Sequence, residues 1–342
     1  MTGNTGNTGN TGHAGNAGLD GDAGGGWFVP GRADFPFPLE VTRDGTEIGT
    51  FRRAVFVRDE TGPGDAGRRI AFRSADAPTG RSLAFEDRSW AGRWYAYRVL
   101  REFAAAPWDE GLDDALAAML LALNDATGDS ARGRTAQEIE IDALLAMARD
   151  ERAPAMGEIL AQDVEFVTAF MEALSVNPGS HPRTYRVLHV ASLVGSFAAL
   201  RFKEAYDRPR PSFLCPALLP PLPVPGHSSF PSGHATQAWL MARCIAFTVR
   251  LSGLPQAERR PVDETVKALA RRVARNREIA GLHYRSDSVA GRRVADAAFA
   301  VLSRHESHGL RRTDYALPTF GEAALAAARE LNPDLAVPAE GR

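Results

Sequence analysis

Cysteine is almost missing: the 342 residues include two, Cys215 and Cys244. A single possible pair in a chain this long is no disulfide scaffold, and neither residue stands at metal-ligand spacing, so both are expected to be ordinary thiols. Net charge is missing too. Forty Lys and Arg against 42 Asp and Glu leave −2, which removes a global basic field as a reason to bind nucleic acid or anionic lipid. Any anion site must be local. Long apolar runs are also lacking. The longest, Val187 to Leu200, is interrupted by His189, Ser192 and Ser196 and falls short of the ~20 residues of a membrane span. The N-terminus opens on Asn, Thr and Gly repeats instead of a charged start and an apolar run, the opposite of a secretory signal. These absences predict a soluble, cytoplasmic protein with no membrane span and no nucleic-acid partner.

What is present divides into three parts. Residues 1–26 repeat Thr-Gly-Asn with almost no apolar side chains, and read as a disordered leader in which His13 is a solvated bystander. Residues 27–90 carry short apolar or alternating runs, such as Arg53 to Val57 and Arg69 to Phe72, between Gly-rich turns, and read as an irregular segment with a few short strands. From residue 91 to about 335 the spacing is helical. Leu112, Leu116, Met119, Leu120 and Leu123 share one face after the cap signal at Asp109, and further apolar stripes run over 139–148, 159–174, 185–206, 235–251 and 262–280. The fold class expected is all-α, a helical bundle that buries Trp94 and Trp108. Prolines from Pro209 to Pro225 exclude regular structure between two of these helices and predict a stiff loop.

Three short segments carry chemistry. Lys203 and Arg210 lie seven residues apart, with Lys203 expected on a last helical turn and Arg210 held by Pro209 and Pro211 just beyond it. Taken alone, such a pair is a solvated face. Phe230-Pro-Ser-Gly-His-Ala235 precedes a helix, with Ser232 placed to cap it and Gly233 leaving its backbone uncovered. Free amides at a helix start bind anions, although the tetrapeptide alone is equally an ordinary cap. His283 and Asp287 stand at i and i+4, adjacent if the segment is helical. A carboxylate there fixes the imidazole tautomer and frees the other nitrogen; by itself the pair is a surface hydrogen bond.

Together, Lys-x6-Arg-Pro, Pro-Ser-Gly-His and Arg-x5-His-x3-Asp occur in order over residues 203–287, about a quarter of the chain. This arrangement resembles the superfamily of type 2 phosphatidic acid phosphatases, bacterial nonspecific acid phosphatases and vanadium-dependent haloperoxidases. The third motif departs from the family pattern, with Asn276 where a serine usually precedes the arginine.

The resemblance implies a helical catalytic domain in which Lys203, Arg210 and Arg277, with the Ser232 hydroxyl and the Gly233 amide, grip phosphate oxygens. His283 would attack to give a phosphohistidine, Asp287 would hold its tautomer, and His234 would protonate the leaving oxygen and then activate water. No metal or other cofactor is required for that cycle. The haloperoxidase branch instead carries vanadate anchored on the position of His283. The short interval from Arg210 to Ser232 is closer to the small soluble phosphatases, whereas His227, seven residues before His234, stands where haloperoxidases keep an aromatic or histidine near the halide. The leading expectation is a soluble phosphomonoesterase acting on a small phosphorylated substrate, with a homodimer possible. The alternatives are a vanadate-dependent haloperoxidase using peroxide and halide and, more remotely, a noncatalytic oxyanion-binding scaffold. His189 reads as a satisfied core or boundary histidine. His181, His305 and His308 lack partners at metal spacing, so no metal site is expected.

Overall fold

A computed structural model describes residues 54–58, 68–72, 92–124, 134–304 and 315–335. The first two stretches form an antiparallel pair, β1 (Ala54–Arg58) and β2 (Arg68–Phe72), in which Phe56 faces Ile70. The leader, most of the segment up to residue 90, and His13, His305 and His308 lie outside the described residues.

The remaining elements among the described residues are helical. The helices are α1 (Gly92–Ala104), α2 (Leu112–Asn124), α3 (Ala136–Asp150), α4 (Arg152–Val164), α5 (Val167–Ala173), α6 (Pro182–Ala205), α7 (Pro211–Leu214), α8 (Gly233–Leu251), α9 (Gln256–Ile279), α10 (Arg285–Leu302) and α11 (Pro318–Leu331). Local chemistry sets their ends. Thr135 opens α3 with a capping box, its hydroxyl accepting from Glu138 N while the Glu138 carboxylate accepts from Thr135 N. Pro182 starts α6, where its missing N–H costs nothing.

The central helix is α8, packed by α6, α9, α10 and α11. Nearly every residue from Gly233 to Val249 is buried, as expected of a helix enclosed on all sides. Two glycines permit the close approaches. A Cβ on Gly195 of α6 would stand 3.0 Å from Gln237 Cα, and one on Gly291 of α10 would stand 2.6 Å from Ser232 O. Both pin the start of α8.

Some expectations need correction. The stripe over 159–174 is two helices, broken where Glu165 is extended and its carboxylate accepts from Thr168 N at 2.6 Å to start α5. The proline-rich stretch does include regular turns, α7 and a 3₁₀ turn at Pro216–Leu218, because proline suits a first helical position. Trp108 is buried, but Trp94 is 54% exposed, on the side of α1 turned from the bundle.

Candidate active site

Five loop segments and helix ends converge on one pocket. Lys203 comes from the last turn of α6 and Arg210 from the residue just before α7. The start of α8 supplies Ser232, Gly233 and His234, and the end of α9 supplies Arg277. His283 comes from the turn before α10. Lys203, Arg210, His227, Gly233, His234, Arg277 and His283 all line the pocket, so the sequence-predicted residues are brought together. Ser232 is fully buried at the cap of α8, its Oγ accepting from Ala235 N at 3.4 Å, and Asp287 stands behind His283. The 3₁₀ stretch and the cis Phe230–Pro231 peptide lie on the connection that leads into α8.

His283 and Asp287 meet, but not on a helix surface as their spacing suggested. Helix α9 ends at Ile279, and two residues on, Gly281 has a φ of +76°, a left-handed turn that favours glycine. The chain then folds back, with Leu282 N donating to Arg277 O at 3.1 Å. His283 therefore sits in a turn, and Asp287 in the first turn of α10. His283 Nδ1 lies 3.1 Å from Asp287 Oδ2, which also accepts from Tyr284 N at 3.0 Å. The other ring nitrogen, Nε2, is 3.0 Å from Arg210 Nη1. A guanidinium only donates, so Nε2 accepts and the proton belongs on Nδ1, pointing at the carboxylate.

The cations are held by backbone oxygens. Lys203 Nζ donates to Ser228 O at 2.7 Å and Ser229 O at 3.1 Å. Arg210 donates through Nε to His227 O at 3.1 Å and through Nη1 to Leu282 O at 2.9 Å. Arg277 Nη2 donates to Ile159 O at 2.6 Å, its Nη1 is 3.4 Å from Asp163 Oδ1, and its buried Nε has no partner among the described residues. Burial pushes Arg210 and Arg277 each down to about 10. Burial, then the Arg210 charge, hold Lys203 well below the ordinary lysine range, although Asp287 opposes this. Burial likewise keeps both imidazoles well below the usual histidine range, with Arg210 and Lys203 adding to the effect at His283 and Arg277 at His234. At neutral pH His283 and His234 are uncharged beside the crowded side chains of Lys203, Arg210 and Arg277. Such a site favours an anion.

Helix α4 supplies the wall that the motifs do not announce. Its last carbonyls have no partners within the helix, and Gln162 O accepts from His234 Nε2 at 3.1 Å. This fixes His234 with its proton on Nε2 and its lone pair on Nδ1, while Phe166 stacks on the ring at 5.3 Å between centroids. Asn276 bridges the same helix, its Nδ2 donating to Glu158 Oε2 at 2.8 Å and Gln162 Oε1 at 3.0 Å. The residue that departs from the family motif thus has a structural task. The carboxylate of Asp163 also lines the pocket, a functional candidate that no motif spacing pointed to.

His227 Nδ1 is 3.1 Å from Arg210 Nη2 and 3.0 Å from Ser228 O. Its Nε2 is buried with no partner among the described residues, and burial, then Lys203 and Arg210, lower its pKa to about 4. Tyr206 turns away, its hydroxyl donating to Asp113 O at 2.8 Å. His189 is buried as expected, but its Nε2 finds no partner among the described residues, so it is not satisfied. Among the described residues, no group of three or more His, Cys, Asp or Glu is placed to hold a metal ion.

The three motifs fall within residues 185–306, which match the PAP2 superfamily. The PAP2 match starts inside α6, so α3, α4 and Asp163 lie before it. Among solved structures, the chain is similar to one described as the first transmembrane PAP2 type phosphatidylglycerolphosphate phosphatase from Bacillus subtilis. The identity is 17% and the TM-score 0.29, over 61% of this chain and 92% of that one. No curated protein matches the chain. No helix among the described residues is long and apolar enough to cross a membrane.

Proposed function

We propose that the chain is a phosphomonoesterase working through a phosphohistidine at His283. One observation carries this reading: an imidazole oriented by a carboxylate on Nδ1 presents Nε2 to a pocket walled by Lys203, Arg210, Arg277 and the start of α8. The match to the PAP2 superfamily over residues 185–306 supports a phosphatase-type enzyme.

In this reading the phosphate oxygens take up the three cations, the Ser232 hydroxyl and the Gly233 amide, spreading the charge that develops in transfer. A phosphate oxygen draws Arg210 from Nε2, whose lone pair attacks phosphorus. The bound phosphate anion favours protonation of His234 at Nδ1; the P–N bond forms as the ester P–O bond breaks, and the leaving oxygen takes that Nδ1 proton. Nδ1 of His234 then accepts a proton from water, the water oxygen attacks phosphorus, and the P–N bond breaks to release inorganic phosphate. Asp287 stabilises the positive charge on His283 throughout.

The test is a panel of phosphomonoesters at acidic to neutral pH, combined with rapid acid and base quenching of enzyme mixed with ³²P-labelled substrate. Turnover and a label stable to base but lost in acid are expected, with both absent in His283→Ala. A panel without hydrolysis, or a variant that retains activity, defeats the proposal. The expected solubility belongs to the same reading and is checked by fractionation without detergent.

A second reading rests on His227 Nε2, a buried group with no partner among the described residues, on a ring that lines the pocket. Vanadate fits the same donors, held by Lys203, Arg210, Arg277, Ser232 and Gly233 around His283, and when bound it supplies activation of peroxide toward halide. His227 would then present its Nε2 to the halide side. Bromide or iodide oxidation that appears only after vanadate is added supports this reading, and no vanadate-dependent signal removes it.

A further inference from the structure

Arg208 stands two residues before Arg210, yet its side chain leads away from the pocket to the back of Asp287. It is 4% exposed. Nη1 donates to Asp287 Oδ1 at 2.6 Å and to Ser286 Oγ at 2.7 Å, and Nη2 is 3.2 Å from Glu140 Oε2. The guanidinium carbon lies 3.7 Å from the centroid of the Tyr284 ring. Glu140, on α3, is itself fixed: Oε1 accepts from Ser286 N at 2.7 Å and Oε2 from Ser286 Oγ at 2.6 Å. The guanidinium is thus held on one face by an aromatic ring and at its edge by a second carboxylate.

We propose that Arg208, anchored by Glu140 and Tyr284, is the positioning residue that locks the Asp287 carboxylate so that Oδ2 faces His283 Nδ1. A carboxylate bonded through one oxygen alone can swing about its last torsion, which is broad. Asp287 is bonded through both, Oδ1 to Arg208 and Oδ2 to His283 and Tyr284 N. Arg208 also separates Asp287 from Glu140. Without it, two neighbouring carboxylates would share a buried space with no cation between them, and like charges so placed repel. Groups behind a directly acting residue commonly change activity 10- to 100-fold when removed. Since α3 lies before the PAP2 match, this arrangement ties a helix from outside the matched segment to the imidazole that would react.

The kinetic part of the test rests on the phosphohistidine reading, whereas a spectroscopic part does not. In full-length protein, Arg208→Gln is expected to lower kcat on p-nitrophenyl phosphate about 10- to 100-fold with KM nearly unchanged, because the cations that grip phosphate are untouched. Guanidinium ion added to Arg208→Ala should restore part of that kcat. Glu140→Gln, which leaves the bond to Asp287, should cause a smaller loss of the same kind and serves if Arg208 variants fold poorly. In proton NMR of ring-¹⁵N histidine protein, assigned with His283→Gln, the slowly exchanging His283 Nδ1–H signal should be lost in Arg208→Gln. If that signal persists, or if kcat is unchanged and only the melting temperature falls, Arg208 is merely structural and the proposal is overturned. A wild type that turns over no phosphate ester defeats the functional reading alone, and the NMR comparison still decides the role of Arg208.

Discussion

Lys203 is one of only two lysines in a chain whose cationic residues are otherwise arginine. Buried between Ser228 O and Ser229 O, it is the pocket cation most easily stripped of its proton, since arginine keeps its charge under far stronger burial. Its lowered pKa means that the site loses a positive charge as pH rises, and a bound phosphate opposes that loss. Inhibition by inorganic phosphate should therefore weaken as pH rises, and Lys203→Arg should flatten the trend even if it lowers kcat. Inhibition constants measured across pH for both proteins check this, and parallel profiles would contradict it. Asp163 acts in the opposite sense. Its carboxylate stands 3.4 Å from Arg277 Nη1 with a side chain 34% exposed, so it competes with a phosphate oxygen for the same guanidinium. Asp163→Asn should tighten phosphate inhibition a few-fold, in keeping with the roughly 0.2–1 kcal/mol of a solvent-screened pair. Phosphate titrations give that number directly, and weaker binding in the variant would mean that Asp163 supports the site.

At the scale of elements, the decisive feature is the break between α4 and α5. The apolar spacing runs unbroken through it, because Ile159, Phe166, Val167, Phe170 and Met171 all bury against the body; periodicity therefore predicted one helix. What ends α4 is the extended backbone at Glu165, a residue that is not a usual helix cap, and that local choice leaves Gln162 O free for His234. The same gap between pattern and geometry appears at His283 and Asp287. Their spacing was readable and their contact real, but the glycine turn at 281, not helical periodicity, makes it. Order and spacing in the motifs marked the residues of the pocket because each reports a local requirement: a cap, a terminal cation, a carboxylate four residues on. Arg208, Asp163 and α4 were not legible, since their partners lie tens of residues away in sequence. Asn276 shows what such contacts are worth. Asn276→Ala removes both hydrogen bonds to α4 and leaves the buried Gln162 Oε1 without its Asn276 donor, a loss of about 1–3 kcal/mol. The melting temperature should fall, and kcat should fall most for substrates with poor leaving groups, which depend most on His234. An equal loss for good and poor leaving groups would place the effect elsewhere. Gly291→Ala tests the other side of the turn: its Cβ would press on Ser232 O, and overpacking of this kind costs about 1–3 kcal/mol. Lower stability and lower phosphate affinity should appear together.

At the scale of the whole molecule, a nearly neutral chain buries Lys203, Arg208, Arg210 and Arg277 with only a few carboxylates among the described residues, and burial holds its interior imidazoles below the usual histidine range. That distribution makes stability depend on pH. His189, far along α6 from the pocket, gives the cleanest case: burial, then the Arg93 charge, lower it to about 4. An unfolded histidine titrates near 6.5, so between roughly pH 6.5 and 4 the unfolded chain binds a proton that the folded one refuses. Stability is then complete above the unfolded value and is lost as pH falls toward the folded one, by about 3 kcal/mol for this residue. His227, His234 and His283 shift the same way and add to the loss. The two sources separate by experiment. Phosphate should restore stability at mildly acidic pH through the pocket, because an anion favours the protonated imidazoles around it, but it cannot reach His189. His189→Leu removes a titrating ring whose Nε2 has no partner among the described residues, so it should reduce the acid loss whether phosphate is present or not. Denaturant melts of both proteins at pH 7, 5.5 and 4.5, with and without phosphate, resolve the contributions. If His189→Leu loses stability with acid as steeply as the parent does, the acid sensitivity arises at the pocket alone.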